Sequence, residues 1–258
     1  MRLAYTICYT VVMQISVLIP GKNEAGTVDK LLKSLTKQTR QADQVVFINS
    51  HSTDDTLAHV EAFSDRLPLT IVTAKKRGVA NARNEGSQKA TGDMFLFVDA
   101  DIILPPQFLA DFEQQVTTRN LEIGGCTQRM PSKKLSIRIG ARVMNGYLRL
   151  MQHTPWPISF SCTFATKKAF ESLNGFDPTL YVMEDYDLAL RGHRAGYNVG
   201  VVTSPFIASD RRFIENPSQG WRGVYGELYR YTHGLRVTKP IYEYEMGGKS
   251  KTDKNAPD

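Results

Sequence analysis

Short apolar runs and amphipathic stretches alternate along the first hundred residues. Gln14-Ile15-Ser16-Val17-Leu18-Ile19 reads as a strand closed by Pro20-Gly21. Leu31, Leu32 and Leu35 follow at helical spacing, and Val45-Val46-Phe47-Ile48 is a second strand. Ser52-Thr53-Asp54-Asp55 predicts the cap of a helix that carries Leu57, Val60 and Phe63. Leu69 to Val72 is a third strand, Gly78 to Lys89 a helix, and Met94-Phe95-Leu96-Phe97-Val98 a fourth strand introduced by Thr91-Gly92-Asp93. Strands separated by helices predict βαβ units, a mostly parallel sheet and an α/β fold. Ligands of such sheets sit beyond the carboxyl ends of the strands. The polar clusters fall at those positions: Lys22-Asn23-Glu24, Asn49 to Asp55, Arg77-Gly78, and Asp99 with Asp101.

Asp99-Ala100-Asp101 carries the most chemistry. It ends the fourth apolar run, before Pro105-Pro106 opens a new element. Alternation on an extended chain points residues 99 and 101 to one side. Two hard oxygen ligands there suit Mg²⁺ or Mn²⁺ holding a substrate diphosphate. The plainer alternative is a polar turn after a strand.

The surrounding motifs set this pair in context. Ile19-Pro20-Gly21-Lys22-Asn23-Glu24 resembles the first strand of family 2 glycosyltransferases. Asn49-Ser50-His51-Ser52-Thr53-Asp54-Asp55-Thr56 resembles their second-strand loop, and Arg77 to Gly86 their third helix. Asp99-Ala100-Asp101 resembles their metal motif. Gly175-Phe176-Asp177 and Glu184-Asp185-Tyr186-Asp187-Leu188 resemble their acceptor-side loop and catalytic helix. The resemblance runs from residue 14 to about 203. It implies a GT-A fold, a mostly parallel sheet flanked by helices in one domain over 13–237. Residues 14–105 would form the nucleotide-sugar-binding half, 106–237 the acceptor half and 238–258 a tail.

The resemblance further implies inverting transfer of one sugar from a nucleotide-diphospho-sugar to an acceptor hydroxyl, in cell-envelope or glycolipid biosynthesis. Asp185 would be the general base. Asp99 and Asp101 would hold the divalent metal, with Asp99 alternatively on the ribose. Pro20, Lys22, Asn23, Glu24, Asn49, Asp54, Arg77, Arg83, Asp99 and Glu184 would line the donor and acceptor sites. His233 and Asp210 are further metal-ligand candidates. Chemistry supports these roles independently. A carboxylate beside another acid, as Asp185 is beside Glu184, has its proton affinity raised. Acids at a helix start are also favoured by the dipole alone.

One position departs from the family pattern. The family commonly has Asp where this chain has Asn49. An Asn offers one acceptor and one donor group, which matches the carbonyl and N–H of uracil and tilts the reading toward a uridine nucleotide. Asn49 can equally cap its own turn, and Asp54 can serve as a helix cap. Arg77 and Arg83 can meet the base or diphosphate, or be solvated helix charges. Two other functions share parts of this pattern. A sugar nucleotidyltransferase needs a Gly-rich basic loop after the first strand, which Pro20-Gly21-Lys22-Asn23-Glu24 is not. A non-catalytic nucleotide-sugar or membrane-binding protein would have no use for both Asp101 and Asp185.

Charge sharpens the second half. The 258 residues carry a formal net charge of +6, with 41% hydrophobic and 22% charged side chains, an ordinary globular composition. Between Ile123 and Phe170 there is no Asp or Glu. Leu135, Ile139, Val143, Tyr147 and Met151 recur every fourth residue within 132–153, and Lys134, Arg138, Arg142 and Arg149 run beside them. Such a helix can lie on an anionic membrane surface or meet the phosphates of a polyprenyl-linked acceptor. It can also be a core-facing helix with a solvated cationic side. No nucleic-acid reader motif is present. Asp210-Arg211-Arg212-Phe213 resembles only faintly the Gln-x-x-Arg-Trp motif of processive synthases, which favours addition of a single sugar. Cys8, Cys126 and Cys162 make no metal-ligand spacing and read as free thiols of a reducing compartment. The expected location is cytoplasmic, peripheral at the inner membrane face. Arg2 and the apolar Leu3–Val12 look like a short signal-peptide core, but Met13 is a plausible start, which would make residues 1–12 an extension.

Overall fold

A computed structural model describes residues 13–216 and 218–241. The leader-like stretch, Cys8 and most of the proposed tail lie outside the described residues. The first half contains β1 (Ile15–Gly21), α1 (Val28–Leu35), β2 (Gln44–Asn49), α2 (Thr56–Glu61), β3 (Leu69–Thr73), α3 (Val79–Ser87) and β4 (Met94–Val98). The second half contains α4 (Phe108–Arg119), β5 (Ile123–Arg129), α5 (Leu135–Met151), β6 (Cys162–Thr166), α6 (Lys167–Ser172), α7 (Glu184–Arg194), β7 (Val199–Ile207), α8 (Arg211–Glu215) and α9 (Gln219–Thr232). Every first-half element follows the predicted alternation. Differences are confined to the ends: β1 continues through Pro20-Gly21, and α2 stops before Phe63.

Seven strands form one sheet in the order β3-β2-β1-β4-β6-β5-β7. β1 pairs in parallel with β2 and β4, and β2 with β3. β6 runs antiparallel between β4 and β5, so the sheet is mixed beyond β4. Both faces are covered, which explains why β2 and β4 are continuously apolar. Val45, Phe47, Leu96 and Val98 face a core closed by α1, α2 and α4. Val46, Ile48, Phe95 and Phe97 face a second core that includes Ala80, Ala82, Phe170 and Phe176. In that second core Phe97 meets Phe170 and Phe176 at ring-centroid distances of 5.1 and 4.9 Å.

Parallel register brings the polar loops to one edge. Pro20 pairs with Ile48 and Gly21 with Asn49, so the loops after β1 and β2 emerge side by side. Gly21 is required by this approach, because a Cβ there would stand 2.6 Å from Phe47 Cζ. The strand β4 ends at Val98, and Asp99, Ala100 and Asp101 lie in a turn rather than on an extended chain. The pair is therefore oriented by a turn, not by strand alternation.

The helix α5 departs from a core-facing arrangement. Leu135, Ile139 and Val143 are exposed, while Ala141, Leu148 and Met151 are its buried residues. Cys126 and Cys162 are buried free thiols.

Candidate active site

The donor-side loops are tied to one another by side chains. Ser52 Oγ accepts from the Asn23 N–H at 3.1 Å, and Asn23 Oδ1 accepts from the Thr53 N–H at 2.9 Å. The Glu24 N–H donates to Thr56 Oγ1 at 2.7 Å. Asn23 holds a left-handed φ of 55°, a conformation that Asn tolerates better than most residues. Asn49 and Asp54 are occupied within this lattice. Asn49 Oδ1 accepts from the Ser52 N–H at 3.0 Å, the turn-capping geometry. Asp54 accepts from the N–H groups of Thr56 at 3.1 Å and Ala25 at 3.3 Å. Pro20 and Lys22 stand half-buried beside them, and Arg77 is exposed.

Helix α3 joins this edge to the acceptor half. Its Arg83 is buried rather than solvated. One guanidinium nitrogen lies 2.6 Å from Glu184 Oε1 and another 3.1 Å from Asp99 Oδ1. The same group sits 5.2 Å from the Phe176 ring centroid. The next residue, Asn84, clamps Phe176 from both backbone directions, accepting its N–H at 2.9 Å and donating to its carbonyl at 2.7 Å. Gly175 is left-handed at φ 68°, and a Cβ there would be 2.5 Å from Asn84 Oδ1. Two consecutive α3 side chains thus fix the Asp99–Asp101 turn, the Gly175-Phe176-Asp177 loop and the start of α7.

Asp185 lies in the first turn of α7, after Met183 with a left-handed φ of 65°. It is 8% exposed. Its Oδ2 accepts from the Ser161 N–H at 3.2 Å. Ser161 is itself left-handed at φ 56°. Non-glycine residues in this region are costly and cluster where the surrounding structure enforces a geometry. Burial, then the neighbouring Glu184 carboxylate, push the Asp185 pKa up to about 8, against the pull of Arg83. Asp99 is also raised, by burial first and with Asp101 adding repulsion against the pull of Arg83. Burial raises Glu24 as well, with Asp101 contributing and the Thr27 hydroxyl opposing.

Asp101 therefore stands as a like charge beside both Glu24 and Asp99 at one sheet edge. Cations approach from α8: Arg212 lies 3.9 Å from Asp101 Oδ2, and Arg211 lowers Glu24. Among the described residues no group of three or more His, Cys, Asp or Glu side chains is arranged to hold a metal. Two carboxylates with mutual repulsion fit an ion that takes its remaining ligands from water and a diphosphate, the habit of Mg²⁺. His233 instead stacks on Tyr229 with ring centroids 3.9 Å apart, and Asp210 stands at the first position before α8, where its backbone carbonyl accepts from Phe213 and Ile214.

The arrangement brings together Glu24, Arg83, Asp99, Asp101, Glu184 and Asp185. Sequence reasoning did not single out Arg212, Asn84 or Ser161. Arg212 was visible only in the faint Asp210-Arg211-Arg212-Phe213 pattern. Ser161 acts through its backbone, which leaves no sequence signal.

Comparison with known proteins gives a consistent picture. The model of the family described as Glycosyl transferase family 2 matches residues 16–170. The amylovoran biosynthesis glycosyltransferase AmsE of Erwinia amylovora is 27% identical over 246 residues, covering 86% of this chain and 87% of that protein. Among solved structures, Staphylococcus aureus TarS in complex with UDP-GlcNAc superposes with a TM-score of 0.62 at 20% identity, over 76% of this chain and 58% of that one. The mannosyltransferase PcManGT of Pyrobaculum calidifontis, in complex with GDP-Man and Mn²⁺, gives 0.63 at 24% identity, over 77% and 57%. The chain thus spans nearly all of the first relative and under three fifths of these two structures.

Proposed function

The chain belongs to glycosyl transferase family 2 and is a glycosyltransferase of the GT-A fold, and we propose that it transfers one sugar, with inversion, from a nucleotide-diphospho-sugar to an acceptor hydroxyl at a membrane surface. The observation that carries this reading is the buried Arg83 bridge, which sets Asp99 and the Glu184-Asp185 pair on either side of one guanidinium. Inverting displacement needs a base on the acceptor side and charge neutralisation on the leaving-group side. In this reading Asp185 serves the first task and the Asp99–Asp101 turn the second.

Asp185 takes the acceptor proton. Its raised pKa makes it a stronger base once ionised, and the Ser161 N–H fixes its orientation. Asp99 and Asp101 would hold Mn²⁺ or Mg²⁺, which supplies charge stabilisation to the departing diphosphate. Arg211 and Arg212 lie on the same side and would add positive charge to that leaving group. Arg83 ties Glu184 to Asp99 and so fixes the spacing between the acceptor side and the leaving-group side. Lys22, Asn23, Glu24 and Arg77 border the nucleotide, with Pro20 shaping the strand end. Asn49 and Asp54 hold the loop that receives the base. The solved neighbours carry uridine and guanosine nucleotides, so the uridine preference rests on Asn49 alone. A lipid or polyprenyl-linked acceptor, met by peripheral contact at the inner membrane face, is supported by the exposed apolar and basic rows of α5.

The test is calorimetric titration of UDP and GDP with and without Mn²⁺, for the parent and Asp101→Ala. The parent should bind one nucleotide at least tenfold more tightly with Mn²⁺, and the variant should lose that dependence. A variant that keeps the parent's Mn²⁺ dependence would remove the metal role from this turn.

A further inference from the structure

We propose that α5 and α9 together form a lipid-docking surface that seats the protein on an anionic bilayer, an inference that rests on the membrane-surface acceptor of the preceding reading. Every exposed large hydrophobic side chain among the described residues belongs to α5, α8, α9 or the Trp156 loop. Val143 is 65% exposed, Leu228 62% and Trp221 76%. The described residues of the first half, whose strands lie between the two apolar cores, leave none.

These side chains form stripes, not a scatter. At 3.6 residues per turn, Leu135, Ile139, Val143 and Leu150 fall within about 80° of arc on α5. Arg138, Arg142 and Arg149 line one border of that stripe, and the buried Ala141, Leu148 and Met151 lie beyond its other border. On α9, Trp221, Val224, Tyr225, Leu228 and Tyr231 occupy one face, opposite the buried Arg230. The two helices meet at a seam where the Tyr147 and Tyr231 hydroxyls are 3.0 Å apart, and Trp156 packs edge-on against Tyr231 at 6.3 Å.

Charge selects the occupant. α5 has no acid, and the one acid of α9, Glu227, turns inward to Arg230 at 3.0 Å. Neither helix directs a carboxylate outward, while Lys134, Arg138, Arg142 and Arg149 are all exposed. A second copy of this face would oppose like charges across a two-fold contact. Anionic headgroups meet the basic row, acyl chains accept the apolar stripes, and Trp and Tyr suit the boundary between them. None of the described helices is long and apolar enough to cross a membrane, so contact here is with the surface.

The docking helices also reach the base. Arg230 lies 5.2 Å from the ring centroid of Tyr186, the residue after Asp185. Tyr186 packs in one cluster with Leu148 and Met151 of α5. An acceptor hydroxyl on a headgroup is therefore delivered beside the helix that carries the base.

The experiment is co-sedimentation of the full chain with vesicles of phosphatidylcholine, alone or mixed with phosphatidylglycerol, at low and high salt. The parent should bind the anionic vesicles only, and release as salt rises. Each basic residue near such a surface is worth roughly fivefold in partitioning, so Arg138→Gln/Arg142→Gln/Arg149→Gln should bind about a hundredfold more weakly. Trp221→Ser/Leu228→Ser should also lose most of its binding. Both variants should keep the parent's affinity for UDP or GDP by calorimetry. Equal binding to neutral vesicles, binding retained by either variant, or parent dimerisation without vesicle binding would overturn the docking surface. A parent that binds neither UDP nor GDP would instead break the proposed donor reading, so the two failures are distinguishable.

Discussion

The loops beyond β1 to β4 and the paired helices α5 and α9 treat their side chains in opposite ways. At the sheet edge, polar groups are buried and tied down: Asn23, Glu24, Asn49 and Arg83 are each under 9% exposed and hydrogen-bonded, Asn49 within its own turn and the others to residues distant in sequence. On the helices, apolar groups are left outside: Leu135, Ile139, Val143, Trp221 and Leu228 face solvent. The first arrangement costs desolvation, which is tolerable only because each group has a partner. It makes a rigid receptor for a small, charged, water-soluble ligand. The second forgoes burial that folding could have used, each such side chain being worth about 1.5–3 kcal/mol if fully buried. It serves a partner with an apolar surface of its own. One protein thus presents a preorganised polar site and an unfilled apolar face, joined through Tyr186 and Asp185.

The largest effect expected is at the junction. Asp185→Asn should lower turnover by about 10²–10⁴-fold, the usual range for a positioned base, while calorimetric donor affinity changes little. Normal turnover would move the base elsewhere. In the parent, the rate should rise with pH as Asp185 ionises, through about 8 in the enzyme without ligands. The same shift has a stability consequence. A raised pKa means the folded state binds the proton more tightly than the unfolded chain. The associated stability is therefore complete below about 4 and lost as pH rises toward 8. Asp185→Asn, which carries no charge, should thus be more stable than the parent at pH 8, by at least about 1 kcal/mol. Equal melting temperatures at pH 8 would show that Asp185 titrates normally.

Next in size is the link itself. Arg83 carries two ion pairs while only 5% of its side chain is exposed. Arg83→Met should cost about 3–5 kcal/mol, the penalty for leaving buried charges without their partner. It should also push the rate-against-pH limb of Asp185 upward, because Arg83 lowers that pKa. A loss under about 1 kcal/mol in chemical denaturation, with an unmoved pH limb, would show that Arg83 is not the strut between the two halves.

The same contrast governs what could be read from the sequence. Strands β1 to β4 were legible because a sheet covered on both faces writes continuous apolar runs. Their polar loops were legible because parallel strands deliver their ends to one edge. At Asp99–Asp101 alternation predicts an extended chain where the structure has a turn, since residue order does not show where pleating stops. Arg83 read as a substrate contact or a solvated charge, because its partners Asp99 and Glu184 are 16 and 101 residues away. The apolar row of α5 was legible as a row. Whether it faced the core depended on tertiary neighbours, as did its pairing with α9. Ser161 left no trace, as a backbone N–H is common to nearly every residue.

The smallest effect expected falls on the apolar face, and its smallness is the informative part. Trp221 and Leu228 are 76% and 62% exposed. Their side chains add little to a core, so Trp221→Ser/Leu228→Ser should change unfolding free energy by no more than about 0.5 kcal/mol, the range of surface substitutions. A buried comparison at Phe97, which is 0% exposed, should lose about 3–5 kcal/mol on Phe97→Ala. Urea denaturation of both, with slopes checked for two-state behaviour, measures the difference. If the α9 variant fell toward the Phe97 value, its aromatic face would be packed against protein in solution, and the contrast between a filled receptor and an unfilled docking face would collapse. If stability holds while vesicle binding is lost, Trp221 and Leu228 are retained for contact with a partner rather than for the fold.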